Sequence, residues 1–156
     1  MLSGTILYYG TETPLPEQQQ LRAGPLTAIY EQGELRTIRL EDQEIVRRLY
    51  VAVRDRNWGT IPAQLSNVTL EQGDDWFRIT YLATHRQDEI NFSWQGTISG
   101  NAQGTITFEM DGQAHSTFWR NRIGFCILHP IRECAGKACT IEQSDGTTLH
   151  SQFPAL

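Results

Sequence analysis

A chain of 156 residues, 39% hydrophobic and 20% charged, is long enough to bury a continuous core without metal or disulfide staples, and its composition excludes disorder. A net charge of −5 and a pI near 5.3 exclude a general affinity for nucleic acid or anionic membrane. No stretch is apolar for long enough to span a bilayer, and three cysteines are an odd number for a secreted disulfide framework.

The N-terminus has neither a basic start nor a signal-like apolar run, so a cytoplasmic protein is expected. Thr13 to Gln20 then predicts a short N-terminal helical turn, confined by its own prolines and by Gly24-Pro25. Leu26–Glu31 and Leu35–Leu40 flank Gln32-Gly33, which predicts a hairpin. Glu44 to Arg54 fits a helix stripe through Ile45, Val46, Leu49, Tyr50 and Val53, and also a strand through Leu49, Val51 and Val53. The strand formers Tyr50-Val51-Ala52-Val53 and the β surroundings decide for a strand.

From Asn67 onward the alternation is clearer. Phe77, Ile79 and Tyr81 point one way, as do Ile90, Phe92, Trp94 and Ile98, and then Ile106, Phe108 and Met110. Turns are expected at Gly73-Asp74-Asp75, Gln87-Asp88-Glu89, Gly100-Asn101 and Asp145-Gly146. Asp111-Gly112 reads as a two-residue hairpin turn before a strand from Gln113 to Trp119. These elements predict an all-β fold, an antiparallel β-sandwich in a single domain over residues 1–156.

Asn121 to Pro130 breaks the alternation. It runs apolar from Ile123 to Leu128 apart from Gly124, which predicts a strand covered on both faces. Its polar border, Asn121, Arg122 and His129, would sit where that strand emerges. Thr147 to Gln152 reads as a last strand, after which Phe153-Pro154-Ala155-Leu156 has no polar tail. Such an ending is expected of part of something longer.

His129, Cys134, Cys139 and His150 supply ligand types that tetrahedral zinc accepts. The spacing has neither a Cys-x2-Cys knuckle nor a close His pair, so no metal and no cofactor is expected. Cys126 reads as a small buried hydrophobe and the other two as reduced loop thiols. A Cys134–Cys139 disulfide fits the spacing, though a cytosolic setting disfavours it. Cys126 and His129 do not make a nucleophile–base pair, because positions i and i+3 of a strand face opposite ways. Asp74, Asp75, Asp88 and Glu89 fall in turns and read as solubilising. No phosphate loop, nucleophile elbow or His-Glu-x-x-His motif is present.

Two clusters set arginine beside tryptophan: Arg54, Asp55 and Trp58, and then Trp119, Asn121 and Arg122. A flat ring with a guanidinium fork suits a sugar or a carboxylate. The plainer reading is an internal salt bridge around Arg54 and Asp55 with tryptophan capping the core edge, and an isolated domain favours it. If the domain docks against another, both clusters and His129 become interface candidates.

The order Arg22-Ala-Gly-Pro-Leu26, Leu35-Arg-Thr-Ile-Arg39 and Arg48-Leu-Tyr-Val-Ala-Val-Arg-Asp-Arg-Asn-Trp58 resembles the N-terminal region of D-apionate lactonase-like proteins. Asn121 to Pro130, Glu133-Cys-Ala-Gly136, Asp145-Gly146 and Phe153-Pro154 extend the resemblance over nearly the whole chain. It implies a longer polypeptide, with a barrel-type domain and a further β domain C-terminal to this one. It also implies cytoplasmic hydrolysis of D-apionolactone to D-apionate, with the catalytic groups in the barrel. No catalytic residue is therefore assigned here. The expected partners are the C-terminal domains of the same polypeptide and a sugar or sugar-acid ligand. The alternatives are a self-contained carbohydrate-binding or mutarotase-like module, and a structural interaction domain.

Overall fold

A computed structural model describes residues 4–10 and 12–156. After a short helix α1 (Gly4–Tyr9) the chain is built of strands in three antiparallel sheets. The first sheet holds β1 (Gln19–Ala23), β2 (Leu26–Glu31), β3 (Glu34–Leu40), β4 (Gln43–Asp55) and β9 (Arg120–Leu128), in the order β1-β2-β3-β4-β9. The second runs β5-β6-β7-β8: Gln64–Gln72, Phe77–Gln87, Ile90–Gly100 and Ile106–Ala114. A one-turn helix α2 (Ile131–Cys134) leads to a separate hairpin of β10 (Ala138–Glu142) and β11 (Thr148–Gln152).

The two larger sheets pack face to face because alternate residues on each are apolar. Along β6 and β7, Phe77, Ile79, Tyr81, Ala83, Ile90, Phe92, Trp94 and Ile98 are buried. Opposite them lie Leu21, Ala23, Ala28, Tyr30, Leu35, Ile38 and Val53 from the first sheet. β6 and β7 pair without a register shift from Phe77↔Gly100 to Gln87↔Ile90, which keeps that alternation in phase with the core. The expected hairpins at Gln32-Gly33 and Asp88-Glu89 form, and Glu44 to Arg54 is strand.

Four expectations are corrected. The N-terminal helical turn lies at Gly4–Tyr9; Thr13 to Gln18 has no regular structure, and Gln19 and Gln20 open β1. Asp111-Gly112 is not a turn. Both residues lie within β8, paired with Gln95 and Trp94. Gly112 is there because a Cβ would sit 2.6 Å from Cζ of Phe92, so the strand needs a residue without a side chain beside that ring. Consequently Gln113–Trp119 is not a separate strand: β8 ends at Ala114, and residues 115–119 carry the chain from one sheet to the other.

The last correction concerns Asn121–Pro130. Among the described residues β9 is an edge strand, paired with β4 alone. Ile123 joins the core, and Phe125 packs edge-on against Phe108 with ring centroids 5.1 Å apart. Beyond them Ile127 is 53% exposed, and Leu128 is exposed too. The apolar run predicts covering layers on both faces, and the described residues supply only part of one.

Candidate functional site

The β4–β9 ladder brings the two Arg/Trp clusters together. Arg54 is the register partner of Arg122, and Asp55 that of Arg120. Between those pairs the register shifts, leaving Asn121 as the extra residue of a β-bulge. Cross-strand partners share a face, so two guanidinium side chains stand next to each other where opposite charges would be stabilising. Among the described residues the ion pairs are Arg36–Glu31, Arg47–Glu44 and Arg48–Glu34, and none involves Arg54, Arg120 or Arg122. The internal salt bridge considered for Arg54 and Asp55 is not formed.

Asp55 is instead committed to its own turn. Its Oδ1 accepts the backbone N–H groups of Asn57 (2.7 Å) and Gly59 (2.8 Å). The Asp55 backbone closes the same loop, its N–H reaching the Gly59 carbonyl at 2.9 Å. Arg54 Nη1 donates to the Trp58 carbonyl at 3.1 Å. These bonds hold Trp58 at φ +70°, a left-handed conformation that bulky residues rarely adopt. Trp58 is 60% exposed and Trp119 75% exposed, so neither tryptophan caps the core. Trp119 lies across a small polar hollow of about 130 Å³ bordered by Asp55, Arg56, Asn57, Asp88 and Glu89. Chemically, the corner offers guanidinium groups that no carboxylate pairs among the described residues, and exposed aromatic faces, which suit a carboxylate borne on a sugar-like skeleton.

His129 does not belong to this corner. It follows the far end of β9, about 23 Å along the strand from Arg122. There its ring stacks at a tilt on Phe153, with centroids 5.3 Å apart.

A second concavity, about 500 Å³, opens between the β2–β3 tip and the Thr60–Ala63 segment. Arg48 reaches Glu34 with two parallel bonds, Nε–Oε2 and Nη2–Oε1, both 2.7 Å, and covers the Tyr50 ring at 4.3 Å. The bond to Glu34 strengthens the Arg48 cation and raises its pKa. Glu31 accepts from Gln18 (2.6 Å) and pairs with Arg36; the Gln18 bond comes first among the causes that lower its pKa. These charges are matched within the chain, unlike those at the Arg54–Arg122 corner. The Arg48–Glu34 pair is not legible in the sequence, because the pairing depends on the β3–β4 register.

His85, also lining this cleft, was legible but unread: it is the next inward position after Phe77, Ile79, Tyr81 and Ala83. Trp94 Nε1–H donates to His85 Nε2 at 3.0 Å, so Nδ1 carries the proton and donates to the Ile61 carbonyl at 2.9 Å. The ring is thereby held neutral, and burial lowers its pKa below the usual value. The unfolded chain takes up this proton more readily than the folded one, so the His85 contribution is complete above pH of about 6.5 and declines as pH falls below it. The expected loss is up to about 1.4 kcal/mol per pH unit until the lowered folded-state pKa is reached. Urea unfolding at pH 7.5 and 5.5 checks this. A His85→Phe variant should lose that much less stability between the two pH values; equal losses would remove His85 as the source.

The three cysteines are free thiols, and no three His, Cys, Asp or Glu side chains converge on a metal position among the described residues. None of the helices in the described residues is long and apolar enough to cross a membrane.

Comparison with known proteins places the whole β unit. The family described as D-apionate lactonase, N-terminal domain, matches residues 6–156. A D-apionate lactonase of Brucella anthropi is 37% identical over 151 residues, covering 96% of this chain and 25% of the relative. The chain thus spans about a quarter of the length of that relative. No solved structure matches. With its strands, its β4–β9 corner and its C-terminal hairpin all inside the matched region, this chain belongs to the D-apionate lactonase N-terminal domain family.

Proposed function

We infer that this chain is an accessory β domain of a cytoplasmic sugar-acid lactone hydrolase, supporting or rimming an active site built by other parts of the same polypeptide. The reaction is hydrolysis of D-apionolactone to D-apionate. The observation that carries this reading is the 37% identity to a D-apionate lactonase of which the matched region forms only 25%. The corner of Arg54, Asp55, Trp58, Trp119, Asn121 and Arg122 is the part suited to the rim. Asp55 and the bulge at Asn121 set the shape, the arginines attract the carboxylate side of the product, and the tryptophans flank it. His129, at the other end of β9, belongs to the contact with the rest of the polypeptide.

The test compares residues 1–156 with the complete gene product in a lactone-opening assay. The complete product is expected to turn over D-apionolactone and the isolated domain is not. In the complete product, Arg54→Ala and Arg122→Ala should each weaken product inhibition by D-apionate about tenfold, equivalent to about 1.4 kcal/mol of binding. Equal turnover by the isolated domain would sink the accessory reading, and unchanged product inhibition by D-apionate would remove the arginines from the rim.

A further inference from the structure

The hairpin β10–β11 is the part of this chain that its own packing does not explain. An isolated two-stranded hairpin is marginal in water, yet both faces of this one are largely exposed. Ile141 and Leu149 are direct register partners, so they share one face, and they remain 48% and 51% exposed. On the other face Thr140 pairs with His150, a polar pair. The hairpin is therefore amphipathic with its apolar side uncovered. It is tied back through α2 and the C-terminal segment, where Phe153 N–H bonds the Lys137 carbonyl at 2.9 Å.

The same end of the molecule carries more uncovered apolar surface. Ile131 of α2 is 64% exposed and borders two concavities, one of about 960 Å³ against Arg39, Arg47 and Leu128, and one of about 240 Å³ against Phe153 and Pro154. Leu128 at the end of β9 continues it, while Ile127, also exposed, lies on the opposite face of that strand. The chain exposes 10778 Å² in all, against roughly 8000 Å² for a compact monomer of its mass.

Resting on the accessory-domain reading, we propose that the apolar face of β10–β11, Ile131 and the distal edge of β9 form one docking surface for the remaining polypeptide of the same enzyme. Two observations select that occupant over a second copy of the chain. The family match runs through the hairpin to residue 156, and in the Brucella anthropi relative the matched region is only 25% of a much longer chain. The patch is also small, a handful of aliphatic side chains. That suffices for contacts between tethered domains, which run to about 600–1,500 Å² with covalent linkage raising the effective concentration, but is weak for a free dimer.

Amide hydrogen exchange on the complete gene product and on residues 1–156, with lactone turnover followed in parallel, tests this. Amides of Ile127, Leu128, β10 and β11 should exchange at least tenfold more slowly in the complete product, while those of β6 and β7 stay unchanged. A double variant, Ile141→Thr with Leu149→Thr, which removes the apolar face and places no like charges opposite each other, should abolish that protection and split thermal unfolding of the complete product into two transitions. It should leave the melting of residues 1–156 within about 2 °C. No added protection in a product that still opens the lactone would overturn the docking surface and leave the accessory reading standing. Protection already present in residues 1–156, with a dimer in sedimentation, would overturn it in favour of a second copy.

Discussion

Trp94→Ala is expected to destabilise residues 1–156 by about 4 kcal/mol, a large part of the roughly 5–15 kcal/mol that holds a domain together. Trp94 is 4% exposed and lies edge-on to Tyr81, with centroids 5.3 Å apart and planes at 72°. It also contacts Phe108 at 6.4 Å, so its ring joins the inner strands to the β8 side of the sheet. Truncation leaves a cavity among these rings. It also removes the only described donor to His85 Nε2, a buried acceptor. The control separates the two effects: Trp94→Phe keeps a ring and forfeits the bond, and is expected to lose only about 1–2 kcal/mol. Urea unfolding monitored by far-UV circular dichroism gives both values. A loss below about 1 kcal/mol for Trp94→Ala would show that this ring cluster is not central to the core.

This core was legible because period-2 alternation is a local property. Phe77, Ile79 and Tyr81, and Ile90, Phe92, Trp94 and Ile98, declare their face residue by residue, and they lie where the alternation puts them. Asp111-Gly112 misled for the opposite reason. Its turn chemistry is local, but Gly112 answers to the Phe92 ring across the strand pair, and that proximity is tertiary. The Asn121–Pro130 run failed similarly. Apolar residues on both sides of a strand show that covering is needed, without saying which part of the polypeptide supplies it.

The candidate corner shows the same division. Each Arg/Trp cluster was visible as a strand end, and the sequence could not say that Arg54 and Arg122 become register partners across β4 and β9. Nor could it separate His129, whose nearness in sequence to Arg122 becomes distance once the intervening residues are extended. The cleft pair Arg48 and Glu34 stayed hidden because its partners lie 14 residues apart on adjacent strands. Long-range pairing, not residue type, limited the reading.

Gly96→Ala is expected to destabilise by about 2–3 kcal/mol, although it adds one methyl group to a strand where alanine is conformationally acceptable. The effect comes from contact. A Cβ at position 96 would lie 2.5 Å from Cζ of Tyr81 and 2.9 Å from Cζ3 of Trp94. Neither ring is free to retreat. Tyr81 is fully buried and its hydroxyl donates to the Gly33 carbonyl at 2.7 Å, while Trp94 is held by His85. Burial also raises the Tyr81 pKa, so the hydroxyl stays protonated and the bond persists across the ordinary pH range. The methyl group must therefore move the β2–β3 turn through Tyr81 or break one of the two bonds. A double-mutant cycle identifies the cause: in a Tyr81→Leu background, which removes the far end of the ring, Gly96→Ala should lose at least about 1 kcal/mol less than in the wild type. Additive losses would mean that the strain arises at the Trp94 ring or in the backbone of β7 and not at the Tyr81 ring.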